Sequence, residues 1–145
     1  FDKRDTMWLF SHSGINNVNI DVALEAKKQG MKVIAFGSAA EAKGKQTRHS
    51  SSKNIFEIAD LVVDTCAPAG DASVPLKNHQ DKIGPVSTMA FVTCVWMTVT
   101  TVAEILAERG VKLHIHPSHN VPGDTTAKQR LEEALAEYKK RVAGV

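Results

Sequence analysis

Apolar positions fall in short blocks along the chain, and the spacing of the blocks predicts its architecture. Met7–Phe10 is an unbroken apolar run ended by Ser11, the pattern of a strand covered on both faces. After a polar loop, NIDVALEAKKQG (19–30) sets Ile20, Ala23, Leu24 and Lys27 on one helical stripe, with Val22 and Ala26 beside it. Asn16, Asn17 or Asn19 can cap that helix, Asp21 suits its first turn, and Gly30 suits its end. KVIAFG (32–37) predicts a second buried strand, NIFEIAD (54–60) a short helix and LVVD (61–64) a third strand. This β-loop-α-β-loop-α-β order predicts an α/β fold, a three-layer α/β/α sandwich on a parallel sheet with right-handed crossovers.

Further along, CAPAGDASVPLKNHQDKIGP (66–85) holds three prolines and two glycines and predicts an irregular excursion. From Ser87 to about Arg109 no Gly or Pro interrupts, and the length favours one long buried helix over strands despite the many Val and Thr residues. KLHIHP (112–117) predicts a fourth strand and VPGD (121–124) a turn. A final helix carries Leu131, Ala134, Leu135, Tyr138 and Val142 on one face, with Glu137 and Arg141 placed to pair one turn apart.

At 145 residues the whole reads as one domain, 1–145, and 43% apolar with 23% charged residues is a globular composition. The 18 Lys+Arg against 16 Asp+Glu leave +2 without a basic stripe, which argues against a nucleic-acid partner. The start, FDKRDTMWLF, is not a signal-peptide pattern. The stretch 89–106 is crossed by threonines and ends at Glu104, so the expectation is a soluble core helix and no membrane partner. Cys66 and Cys94 are far apart with no CxxC spacing, which suits buried thiols in a reducing cytoplasm.

SHSGINN (11–17) is the stretch with candidate chemistry. A helix start offers unpaired amides and partial positive charge, serine hydroxyls add donors, and glycine lets the backbone curl close to an anion. The alternative is a plain βα turn in which Ser and Asn only cap the helix. Strand-SHSG-x-N-helix resembles the phosphosugar loop of the SIS (sugar isomerase) domain. ADLVVD (59–64), GPVSTMAFVT (84–93), and NVPGD (120–124) with TCAPAGDA (65–72) are similar in order to an uncharacterised bacterial phosphosugar-binding branch of that family.

The resemblance implies a sugar-phosphate ligand; no cofactor or metal is expected, and a homo-oligomer is. It implies that Ser11, His12 through its backbone amide, Ser13 and Gly14 cradle the phosphate, with Asn16 beside them and Ser87 and Thr88 closing the site. Two departures stand out. The chain begins at what the family has as an internal strand, so it looks like the C-terminal part of a longer domain with part of the pocket elsewhere. Where the family's isomerases carry a catalytic Glu, this chain offers His79 and Asp81, or a residue of a neighbouring subunit. Two functions stay open: a sugar-phosphate isomerase, or a sensor that binds without turnover.

His114, His116 and His119 have a conceivable zinc spacing, but no acidic residue or cysteine lies nearby in sequence to complete a site, which favours exposed or capping histidines. Asp71 and Asp124 follow glycines in turns, where Asp is locally favoured, and Asp71 could instead touch sugar hydroxyls or a subunit. Arg48 and His49 are read as solvated residues that could also stand at the pocket mouth. The apolar first strand needs cover from an oligomer or from a preceding segment.

Overall fold

The computed structural model describes residues 1, 3–118 and 120–143. They form two compact units, 1–97 and 98–145, taken separately below. The first begins with β1 (Thr6–Phe10), α1 (Asn17–Lys28), β2 (Lys32–Gly37), the one-turn α2 (Ala39–Ala42), α3 (Ile55–Ile58) and β3 (Leu61–Asp64). The three strands make one parallel sheet in the order β1-β2-β3, with Phe10 beside Phe36 and Gly37 beside Asp64. The expected α/β fold on a parallel sheet is thus present.

Alternation along the strands divides the sheet into two faces. On one, Leu9, Val33 and Ala35 meet Ile20, Ala23 and Ala26 of α1 and Ile55 of α3, all buried. On the other, Trp8, Phe10 and Phe36 form an aromatic ladder with centroids 5.3 Å (Trp8–Phe36) and 4.7 Å (Phe10–Phe36) apart. Gly30 ends α1 at φ +79°, its amide on the Lys27 carbonyl and that of Met31 on Ala26, a Schellman closure. Lys27, from the apolar stripe, lies along it and sends its ammonium to Asp60 at 2.8 Å. Asn54 and Glu57 form a reciprocal capping box on α3.

Three expectations are corrected. Residues 66–85 are not wholly irregular: β4 (Ala72–Pro75) and β5 (Lys82–Pro85) pair antiparallel, with Val74 opposite Ile83. Both prolines lie at strand ends, where a missing N–H costs the ladder little. The long helix exists as α4 (Ser87–Glu108), but Ser87 is its only buried residue. It is long and apolar enough to cross a membrane by length and composition. Its apolar side chains point to all sides of the helix, more surface than a single contact covers.

The second unit contains the end of α4, closed by Gly110 at φ +74° in another Schellman arrangement, and α5 (Ala127–Val142). The fourth strand expected at 112–117 is absent; these residues are irregular, since no neighbouring strand is there to complete a ladder. Glu137 and Arg141 pair at 3.0 Å as expected, and the Arg141 guanidinium holds the Glu137 carboxyl below its ordinary range.

Asp60 links α1 to the sheet: it accepts from Lys27, from Lys32 at 3.3 Å and from the Val33 amide at 2.9 Å. The Lys27 hydrogen bond, then that of Val33, lowers its pKa strongly. A depressed folded value gives stability that is present above about pH 4 and lost as pH falls through that value. Asp60→Asn is therefore expected to lower Tm at neutral pH, with the difference from wild type shrinking on acidification; melting curves from pH 7 to pH 2 check it.

Candidate functional site

A cleft lined by Phe10, Ser11, His12, Asn16, Asn17, Val18, Asn19, Ser87 and Phe91 lies beyond the carboxyl end of β1. That is where ligands bind in open α/β sheets. Its floor is the loop between β1 and α1. The Ser11 hydroxyl is buried, accepts from the Gly14 amide at 3.0 Å and donates to the Asn16 side chain at 2.7 Å. Gly14 turns at φ +74°, and a Cβ there would collide with the Phe56 ring. Gly37 is constrained by the same ring and by the Ser11 carbonyl, so Phe56 of α3 wedges against two glycines. The Ser38 amide bonds the His12 carbonyl and the Ile55 amide bonds the Gly14 carbonyl, each at 3.0 Å. The loop is thereby pinned to β2 and α3.

Side-chain capping of α1, expected from its asparagines, does not occur. Asn16 holds the N-cap position, but its side chain makes no cap hydrogen bond because it serves Ser11. Asn19 donates instead to the Phe10 carbonyl at 2.8 Å. The first intrahelical bond runs from the Ile20 amide to the Asn16 carbonyl, so the amides of Asn17, Val18 and Asn19 are the helix's orphan donors. No acidic residue occupies the first turn. The cleft therefore collects the positive end of α1.

Of the residues assigned to the cradle, Ser11, His12, Asn16 and Ser87 line one cleft, while Ser13 and Gly14 form the turn behind it. His12 is a lining residue, and its ring nitrogens Nδ1 and Nε2 are both buried without a hydrogen-bond partner. A buried polar atom left so costs about 1–3 kcal/mol. The imidazole was legible only as the x of SxSG, and nothing in the spacing shows which way it points.

Ser87 has a different partner from the one expected. Asp71, from the loop before β4, accepts from the amides of Val86 at 2.9 Å and Ser87 at 2.7 Å, and from the Ser87 hydroxyl at 3.0 Å. The start of α4 is thus already occupied by a carboxylate. Burial pushes the Asp71 carboxyl up, but the Ser87 and Val86 hydrogen bonds, with a smaller pull from His12, bring it below its ordinary value. Thr88 is exposed and does not line the cleft. His79 and Asp81 sit exposed between β4 and β5, with the Asp81 amide on His79 Nδ1 at 3.1 Å, and neither lines the cleft.

His49 is not at the cleft. Its Nε2 meets Asp21 at 2.9 Å and its Nδ1 meets Ser51 at 2.8 Å, which fastens the 45–54 loop to α1. Asp124 accepts from Thr126 and pairs with Arg130, a local turn role. Of the three histidines near 114–119, His119 lies outside the described residues, and among those described no group of three metal ligands converges.

Against this geometry, sequence comparison adds two findings. Residues 1–38, which comprise β1, the loop, α1 and β2, match the SIS domain family. Over nearly its whole length the chain is also similar to UPF0309 proteins. That of Shouchella clausii is 35% identical over 129 residues, 89% of this chain and 52% of the relative. That of Oceanobacillus iheyensis is 35% identical over 131 residues (90% and 53%), and that of Thermoanaerobacter pseudethanolicus 33% over 136 (92% and 54%). The chain spans about half the length of these curated relatives.

Asp71→Ala removes the acceptor for three donors at the start of α4. Loss of such a cap costs about 1 kcal/mol. Denaturant unfolding is expected to show that loss at neutral pH and a progressively smaller one as pH falls below about 4, because the Asp71 carboxyl is held below its ordinary value in the folded chain only.

Proposed function

We propose, for a chain whose first 38 residues are SIS-domain sequence, that it binds a phosphorylated sugar with the phosphate on the start of α1. The observation that carries this reading is a helix end whose N-cap side chain is turned away, leaving three amides toward the cleft. The phosphate oxygens accept from the amides of Asn17–Asn19, with the His12 imidazole as a further donor, while Ser13 stays in the turn behind the cleft. Ser11 acts one step back: it holds Gly14 and Asn16 and leaves its own hydroxyl no proton for the ligand. Ser87 is a wall of the cleft, because Asp71 holds its amide and hydroxyl.

Phosphosugar binding without turnover is the reading this geometry favours over isomerisation. Moving a proton between adjacent carbons needs a base near the sugar carbons. Among the described residues no carboxylate lines the cleft, and His12 is the titratable residue that does. In the isomerase reading His12 takes that role, in place of His79 or Asp81. Cys66 is exposed and Cys94 half-buried, where buried thiols were expected, and cysteines that form no disulfide suit a cytoplasmic setting.

Thermal shift with hexose and amino-sugar phosphates tests binding. Saturation at a hundredfold excess over Kd is expected to stabilise by about 2.7 kcal/mol. His12→Ala removes one donor to a charged group and is expected to weaken binding about tenfold or more, whereas His79→Ala leaves it unchanged. No stabilisation by any sugar phosphate overturns the proposal. Incubation with a bound sugar phosphate in D₂O separates the two functions, since deuterium at the carbon beside the carbonyl marks an isomerase.

A further inference from the structure

Residues 65–71 leave the sheet after β3 as a strap that reaches two serines associated with His12. Ser38, whose amide bonds the His12 carbonyl, donates its hydroxyl to the Ala67 carbonyl at 2.6 Å. Ser38 and Ala67 are both buried, which seals that side of the strap. Ser87, which lines the cleft with His12, is held by Asp71 at the strap's other end.

Between those anchors the strap is fastened by Glu41 of α2. One carboxylate oxygen accepts the Gly70 amide at 2.7 Å, the other takes the Lys45 ammonium, and only 11% of the side chain is exposed. The Lys45 bond, then that of Gly70, holds the Glu41 carboxyl below its ordinary range. A charge on His12 acts on Glu41 and on Asp71 alike, which places the imidazole within electrostatic reach of both.

Two features oppose this arrangement. Cys66 (φ +55°), Gly70 (φ +86°) and Asp71 (φ +59°) are left-handed, a region that side chains adopt at a cost, so the Glu41 and Ser38 bonds hold a backbone the chain alone disfavours. Both ring nitrogens of His12 are shielded and unpartnered, which opening to water relieves. We propose that the strap closes over the His12 ring and that Glu41 is the positioning residue that keeps it closed. While Gly70 stays on Glu41, the ring nitrogens are out of reach of a molecule in the cleft. When Gly70 leaves, the ring has room to turn toward an acceptor there. This gating of His12 holds whatever the cleft binds.

Diethyl pyrocarbonate, which acylates histidine ring nitrogens that solvent reaches, tests the proposal on the whole chain. The reaction is read residue by residue by mass spectrometry, beside amide hydrogen exchange. His12 is expected to react at least about tenfold more slowly than the exposed His79. In Glu41→Ala the loss of a charged acceptor is expected to speed both the His12 reaction and Gly70 exchange about tenfold or more, with protection of the β2 amides unchanged. A merely structural Glu41 would lower β2 protection in the same proportion. A wild-type His12 that reacts as fast as His79 overturns the proposal, and so does a Glu41→Ala chain whose His12 rate stays at the wild-type value. If Glu41→Ala loses β2 protection, Gly70→Ala decides. A Cβ at Gly70 meets nothing within 4 Å, so that variant opposes only the left-handed backbone. It is expected to speed the His12 reaction about fivefold or more with β2 intact. An unchanged rate, or lost β2 protection here too, overturns the proposal.

Discussion

Ser11 stands buried at the end of β1, and its hydroxyl is committed on both sides, to the Gly14 amide and to the Asn16 side chain. The second bond has a consequence out of proportion to its strength. An asparagine at the N-cap ordinarily satisfies a first-turn amide of its own helix. Held by Ser11, Asn16 cannot, and α1 begins with three amides uncapped. The tight turn at Gly14, the Phe56 ring packed against Gly14 and Gly37, and the backbone bonds from Ser38 and Ile55 all hold that arrangement in place. Stability at one helix end is given up, and a concentrated positive potential at the carboxyl edge of the sheet is gained.

The two helix starts beside the cleft differ for the same electrostatic reason. At α4 the chain supplies its own anion: the Asp71 carboxylate takes two amides and the Ser87 hydroxyl. At α1 no acidic side chain occupies the first turn. The cleft therefore has one open helix end and one neutralised by protein, with His12, whose ring nitrogens are unpartnered, among its lining residues. Asp71 also ties the β4–β5 hairpin to α4, so the carboxylate that closes the second helix end sets where Ser87 stands.

Features governed by neighbours in the chain were legible from sequence. The β1–α1–β2 order, the αL residue at Gly30, the short helix Ile55–Ile58 and the Glu137–Arg141 pair each follow from residues within about a turn of one another. What was missed depends on direction or on distance along the chain. The β4–β5 pairing hid behind Pro75 and Pro85, whose places at strand ends are known only once the register is. The reach of Asp71 to Ser87 spans 16 residues and reversed the expected role of that serine. Periodicity showed that α4 is apolar but not what its sides meet, and the SHSG motif left the direction of the His12 imidazole unspecified. The asparagines before α1 were read as caps because composition cannot show that Ser11 has already claimed one of them.

The central claim is that the uncapped start of α1 is an anion seat. Backbone ¹⁵N–¹H chemical shifts of the chain, followed as a hexose phosphate is added, test it most directly. The account predicts saturable shifts largest at the amides of Asn17, Val18 and Asn19, accompanied by the His12 ring nitrogens, with Ser87 little changed. Shifts centred on Thr88 and Met89, or no saturable shift in residues 12–19, would contradict it.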